Sequence, residues 1–546
     1  MGRYSLGLDY GTLSARAVLV DFDTGKEIAT SVCEYAHGVM SEKLPCGETL
    51  PRDYALQHPQ DYIDAFYSTV RECISTSGID SADIVGVGVD FTASTVLPVD
   101  EKGIPLCFID EFKDNKHAYV KLWKHHAAQK EADDINALAR EMGEEWLSRY
   151  GGTVSCEWML PKILEILRED EAVFNKTFRF VEAGDYIVGL LTGRETHSVC
   201  AAGFKGLWNE ENGYPCREFL HRLDSRLENV VGEKISTDII KLSGIAGYVT
   251  KEIAARTGLA EGTPVKPAFI DAHAALPALG IVDSGELLMI IGTSTCHILL
   301  GDKRIYVPGI SGCVKDGIVD GLYAYEAGQA CVGDSFDWFI KNCVPHSYYL
   351  EAEEKGIGLH KILREKAKKL PAGSGGLMAL DWFNGNRTPY VDGGLSGVIL
   401  GLNLNTKPEQ IYRALIEATA YGTQRIIEIY EQSGIEIKRL YAAGGIAEKD
   451  EMLMQIYADV TGREIYLSGT AQACAYGSAV LGAVGERGYA TLREAANALR
   501  KVKDAHYTPD AVAHERYAEL YAQYKKIGEY FAVSERDMMT VLKEKK

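Results

Sequence analysis

The run Leu6-Gly-Leu-Asp9 stops at a carboxylate, turns through Tyr10-Gly11-Thr12, and leaves on a second apolar stretch that ends at Asp21. Glycine lets backbone amides come close to a phosphate, and the Thr12 hydroxyl adds a donor. A carboxylate beside such a turn repels a bare phosphate. It fits if Mg²⁺ lies between them, because that ion takes one or two carboxylates together with phosphate oxygens. A hairpin in which Asp9 merely caps its turn accounts for the same residues. Ile291-Gly292-Thr293-Ser294-Thr295 repeats the amide-and-hydroxyl turn without the carboxylate. One turn then suits a metal-linked phosphate and the other a direct contact. Two such hairpins in similar halves would clamp a nucleotide between them.

Leu440-Tyr-Ala-Ala-Gly444-Gly445 runs from an apolar strand through two glycines into a helical pattern. The glycines let a flat group lie on the backbone, and the helix N-terminus can face a phosphate. A plain turn between elements is the simpler reading of the pair alone. Asp271 closes the apolar stretch Ala268-Phe-Ile-Asp and is followed by small residues that leave room beside it. A carboxylate there can take a proton from an attacking hydroxyl, or it can cap the next helix. Lys205 and Glu326, taken singly, read as solvated surface charges.

These residues need elements to carry them. Strand-like and helix-like stretches alternate along 546 residues, which predicts an α/β fold with two domains. Helices are expected over 58–75, within 116–150 and 156–170, and over 252–257, 408–432 and 449–461. Strands are expected over 84–90 and 265–270, with a strand–turn–strand unit over 287–300. The stretch 492–546 reads as a helical, amphipathic covering element. The domain boundary is placed near 260, giving domains 1–260 and 261–546.

A formal charge of −19 without clustered Lys and Arg argues against a nucleic-acid partner. No apolar run approaches the roughly 18 residues that a membrane span needs. Twelve scattered cysteines with no CxxC pair suggest reduced thiols and a cytoplasmic setting. A homodimer is allowed but not specified by these residues.

The two turns and the glycine pair, in this order, resemble the actin-like ATPase superfamily. That resemblance implies two ribonuclease H-like α/β domains with a nucleotide cleft between them. DFTASTVLPVD from Asp90, AGFKGLW from Ala202, FIDAH from Phe269, EAGQ from Glu326 and DWFNGNRTP from Asp381 look like the FGGY carbohydrate kinases. The likeness runs from Leu6 to beyond Ala483, and the last two segments stand nearest the branch that phosphorylates L-ribulose. It implies ATP-dependent phosphorylation of a ketopentose, L-ribulose at its 5-hydroxyl, with D-ribulose, ribitol or D-xylulose as alternatives. A binding ATPase of the actin or chaperone type is the alternative from a different class.

By the same resemblance Asp271 falls on the family's general base, and Ala93, Lys205 and Glu326 line the sugar pocket with it. Gly11, Thr12, Gly292 and Thr293 would cradle the phosphates of ATP, Gly444 and Gly445 would hold adenosine, and Asp9 would position Mg²⁺. The first domain would hold most of the sugar, and the second would supply Asp271 and the adenosine site. Arg387 reads as a link between domains or a phosphate contact, and Arg16 as a partner within the sheet or a ligand contact. His273 and His297 read as satisfied core histidines. Two departures from the family pattern stand out: a longer gap between GLSGV and QIYRALIE, and Asp450 where relatives often carry Asn. An acid at 450 can still cap the helix that follows.

Overall fold

The computed structural model describes residues 2–541. Strand Tyr4–Tyr10 is central to the first sheet. It pairs antiparallel with Ser14–Asp21, which pairs in turn with Glu27–Glu34, and it pairs parallel with Ile84–Phe91. From Ser5 onward the strand is buried on both faces, and its polar residues Ser5 and Asp9 are buried with it. Gly7 and Gly88 lie where helix Ala473–Gly482 crosses these strands. A Cβ on Gly7 would come within 1.9 Å of the Ala475 carbonyl oxygen, and one on Gly88 within 1.9 Å of that of Ser478. Helix and sheet meet backbone to backbone.

The second sheet runs in the order Gly312–Lys315, Tyr323–Gln329, Thr295–Gly301, Glu286–Ile291, Arg439–Ala443, Ile465–Ser468, Val502–Tyr507. Its hairpin, the antiparallel strand outside that hairpin and the parallel partner on the other side repeat the plan of the first sheet. The Gly292 turn therefore stands where the Gly11 turn stands in the first half, and Ile290 takes the place of Asp9. Helices Asp271–Ala278 and Ala473–Gly482 share one apolar core with residues of both sheets, Val18 and Val20 from the first and Leu288, Ile298 and Tyr441 from the second.

The boundary expected near 260 needs correction. Pro264–Val265 and Phe269–Ile270 both pair with Ile84–Phe91, so this stretch belongs to the first sheet, and the chain enters the second only at Glu286. Asp271 is thus carried by the first half, not the second. The apolar stretch 265–270 forms two two-residue strands, not one continuous strand.

Of the expected helices, Pro59–Ser77, Lys251–Thr257 and Pro408–Gln432 form close to the lengths read. Residues 116–150 hold one α-helix, Gln129–Met142, flanked by shorter turns. The C-terminal stretch is not wholly helical. Val502–Tyr507 is an edge strand of the second sheet, ahead of helix Ala511–Glu529, and the part of the expected helix beyond 541 lies outside the described residues. The longer gap before Pro408 contains strand Val398–Leu400, paired with Met378–Leu380.

A smaller four-stranded sheet, Leu56–Gln57, Val120–Lys121, Val96–Val99 and Arg179–Glu182, is inserted in the first half and shares a core with helix Met159–Glu169. Among the described residues, no helix is long and apolar enough to cross a membrane.

Candidate active site

Thr12, Ala93, Lys205, Asp271, Gly292, Thr293 and Glu326 line one cavity of about 290 Å³. Asp9, Gly11, Gly444 and Gly445 stand outside its lining. Both halves build it: Thr12 and Asp271 come from the first sheet, Gly292, Thr293 and Glu326 from the second.

Asp271 opens helix Asp271–Ala278, and the Ala272 amide donates to its Oδ1 at 2.7 Å. Burial, with the charges of Asp9 and Glu326, pushes its carboxyl up to about 7, against the Ala272 amide and Lys205. A carboxylate with that affinity for a proton is well matched to base catalysis near neutrality.

Lys205 ends helix Val199–Lys205. Its Nζ donates to Glu326 Oε1 at 2.6 Å and lies 5.6 Å from the centre of the Trp158 ring. Burial works against charge on Glu326, but Lys205 and His273 overcome it and hold the carboxyl well below the usual range. His273 is itself shifted down by burial, so its ring is neutral. Its Nε2–H donates to Glu326 Oε2 at 2.9 Å, leaving Nδ1 to accept from Cys200 Sγ at 3.2 Å. His273 is therefore a satisfied core histidine that orients Glu326. His297 is a core residue too, 3.1 Å from the Thr423 hydroxyl through Nε2, but it is not fully satisfied as expected, because its Nδ1 is buried without a hydrogen-bond partner.

Each phosphate-type turn is closed by its glycine amide: that of Gly11 donates to the Ser14 carbonyl at 3.0 Å, and that of Gly292, one residue tighter, to the Ser294 carbonyl at 2.9 Å. The Val332 and Gly333 amides then bond the carbonyls of Thr293 and Gly292, which fixes the second turn from behind. Gly444 has φ +98°, and a Cβ there would lie 2.5 Å from the Ile291 carbonyl oxygen, so its work is close packing against the second turn. A Cβ on Gly445 meets nothing within 4 Å, so the open surface lies over that residue. Asp450 caps helix Glu451–Thr461 by accepting from the Leu453 amide at 3.0 Å.

Asp9 sits directly opposite Arg16 across the hairpin, Oδ2 to Nε 3.2 Å, so Arg16 pairs within the sheet. In the parallel direction Asp9 adjoins Asp90. Burial raises both carboxyls above their ordinary values, with Arg16 opposing at Asp9 and the neighbouring Asp9 charge adding at Asp90. The Asp90 Oδ1 is buried without a hydrogen-bond partner. This concentration of carboxylate oxygens beside a phosphate-type turn suits a hard divalent cation that shares its coordination with phosphate and water. Among the described residues, the one converging set of metal-type ligands lies elsewhere, at His117, Glu165 and Glu169. There the ammonium groups of Lys116 and Lys121 already stand 3.4 Å from Glu169 and 3.1 Å from Glu165.

Sequence reasoning missed several residues of the cavity wall. Trp123 lines it and donates from Nε1 to the Thr12 hydroxyl at 3.1 Å, although nothing in Leu122-Trp-Lys-His marks it. By contrast, Arg387, which the sequence marks as a link between domains or a phosphate contact, lines the cavity 3.5 Å from Glu157 of the first half, and so links the two halves. Trp158, Cys296 and Cys474 also line it.

Residues 4–278 match the N-terminal domain of the FGGY family of carbohydrate kinases, and residues 287–486 match its C-terminal domain. The interval between the matches is where the chain passes from one sheet to the other. A ribulokinase of Bacillus licheniformis is 49% identical over 539 residues, covering 98% of each chain. A ribulokinase of Mycolicibacterium smegmatis is 45% identical over 532 residues, 97% of this chain and 94% of that one. The solved xylulose kinase of Rhodospirillum rubrum superposes with a TM-score of 0.79 at 25% identity, covering 97% and 99%. The solved gluconate kinase of Lactobacillus acidophilus shares the fold at a TM-score of 0.80 and 18% identity, covering 98% and 99%. These neighbours share the actin-like, two-domain α/β architecture built here on duplicated sheets. With both domains matched in order, and with the cavity built from both, the chain belongs to the FGGY family of carbohydrate kinases.

Proposed function

We propose that the chain transfers the γ-phosphoryl group of Mg-ATP to the 5-hydroxyl of L-ribulose. The observation that carries this reading is one cavity in which the Asp271 carboxylate, the Lys205–Glu326 pair and both glycine–threonine turns meet. Likeness to ribulokinases over nearly the whole chain supports the choice of sugar.

In this mechanism Lys205 and Glu326 present a fixed donor and acceptor to the sugar hydroxyls, and the backbone at Ala93 adds a third contact. A hydroxyl that satisfies these groups binds, and a stereoisomer that leaves one of them unpaired is penalised. Asp271 accepts the proton of the attacking hydroxyl as its oxygen bonds to the γ-phosphorus and the bond to the ADP oxygen breaks. Thr12, Thr293 and the turn amides other than those of Gly11 and Gly292, which bond within their own turns, hold phosphate oxygens, and Gly445 leaves room for adenosine. Asp9 would hold Mg²⁺, which when bound neutralises charge on the phosphate chain. The need for ATP and the free state of the cysteines support a cytoplasmic setting.

The test is sugar-dependent ADP release with L-ribulose, D-ribulose, ribitol and D-xylulose compared side by side. A clear preference for L-ribulose is expected. Preference for another of these sugars would overturn the substrate, and ATP hydrolysis indifferent to sugar would overturn the kinase mechanism.

A further inference from the structure

Lys162 lies in helix Met159–Glu169, on a stretch buried from Met159 to Leu167, and is itself fully buried. Its Nζ donates to the carbonyls of Ser94 at 2.6 Å, Leu122 at 2.9 Å and Lys121 at 3.4 Å. An ammonium has three protons and no acceptor, so three carbonyls satisfy it completely. Without them its burial would be strongly unfavourable. Burial pushes its pKa down to about 8, and Glu182 and Glu157 oppose that, so the charge persists at neutral pH.

The carbonyls it holds belong to two walls of the substrate cavity. Thr92, Ala93 and Ser94 line that cavity from the turn after strand Ile84–Phe91. Ser94 has φ +50°, a conformation a non-glycine residue keeps only under outside constraint. The Thr95 amide donates to Glu182 Oε2 at 2.9 Å, which pins the far end of the same turn. Leu122 immediately precedes Trp123, the wall residue that also donates to Thr12. Lys162 does not line the cavity.

We propose that Lys162 is a positioning residue for the sugar, its ammonium fixing the Ala93 turn against the Trp123 wall through the Ser94 and Leu122 carbonyls. It rests on the reading above that the sugar occupies this cavity. A lysine that served stability alone would change the unfolding transition and leave the two Michaelis constants in their original ratio. A lysine that sets the width of the sugar pocket changes one constant and spares the other.

The experiment compares Lys162→Met, which keeps an unbranched apolar stem and removes the ammonium, with the parent enzyme and with Lys205→Met. In Lys162→Met the KM for L-ribulose should rise about tenfold or more while that for ATP stays within about twofold. An unchanged sugar KM, or an equal rise in both constants, overturns the proposal. If Lys205→Met shifts the sugar KM and Lys162→Met does not, the positioning role alone fails. If neither shifts it, the cavity is not the sugar site and both readings fall. Should Lys162→Met not fold, Glu182→Gln keeps an acceptor for the Thr95 amide while removing the charge that faces Lys162. It should raise the sugar KM about threefold with the ATP KM unmoved, and no change in either constant overturns the proposal.

Discussion

Among single residues, Asp271, the proposed base, shows how little of a carboxylate's environment is local. Its type and its place after an apolar run are plain in the sequence, and both suit a proton acceptor or a helix cap. Its proton affinity is set by burial and by Asp9 and Glu326, which the chain brings from far away on either side. The side chain does not cap its helix; among the described residues it accepts from the adjacent Ala272 amide instead. Asp271→Asn keeps the shape and removes the proposed base. Turnover should fall about a thousandfold, the middle of the range for general base catalysis, while ATP affinity measured by calorimetry stays close to that of the parent. A variant that turns over at near-parental rates would remove Asp271 from the mechanism.

At the scale of elements, the Gly-Gly turn after strand Arg439–Ala443 divides two tasks between adjacent residues. Gly444 is held at positive φ against the Ile291 carbonyl, so this turn and the Gly292 turn, proposed to hold adenosine and phosphate, support one another. Gly445 faces open space. Gly444→Ala should lower the free energy of unfolding by about 2 kcal/mol, from backbone strain and steric overlap together. Gly445→Ala should unfold like the parent in denaturant but raise the KM for ATP about tenfold by filling the surface where the nucleotide lies. An unchanged ATP KM in Gly445→Ala would separate this turn from adenosine binding. The turn itself was legible as glycines between a strand and a helix. The division of labour was not, because it depends on a carbonyl some 150 residues away in the chain, at Ile291. Strand Val502–Tyr507 escaped notice for a related reason: its Val-Lys-Asp-Ala-His-Tyr sequence is largely exposed at a sheet edge and carries no apolar signal. The allegiance of Phe269–Ile270 was hidden too, since a two-residue strand reveals its sheet only through its partner.

For the molecule as a whole, the echo between the two hairpins announced the duplicated sheets, and motif order announced the cleft. The shared core was not readable, because Ala473–Gly482 comes from the second half of the chain yet packs on the first sheet. Charge shows the same limit. The formal −19 counts every histidine as neutral, and the fold overrides that at His197. This buried ring lies 3.3 Å from Asp185 through Nδ1 and 3.2 Å from Glu195 through Nε2. Burial opposes its charge, but the two carboxylates outweigh burial and hold its pKa up to about 9. A folded value above the ordinary histidine value near 6.5 means that the protonated ring stabilises the fold fully below about pH 6.5. That contribution, on the order of 3 kcal/mol, is lost as pH rises through about 9. His197→Gln removes the titrating group while keeping a polar side chain between the two acids. The difference in unfolding free energy between parent and variant should therefore be largest near pH 6 and shrink steadily toward pH 9.5. A difference that stays constant across that range would show that His197 contributes packing and not charge.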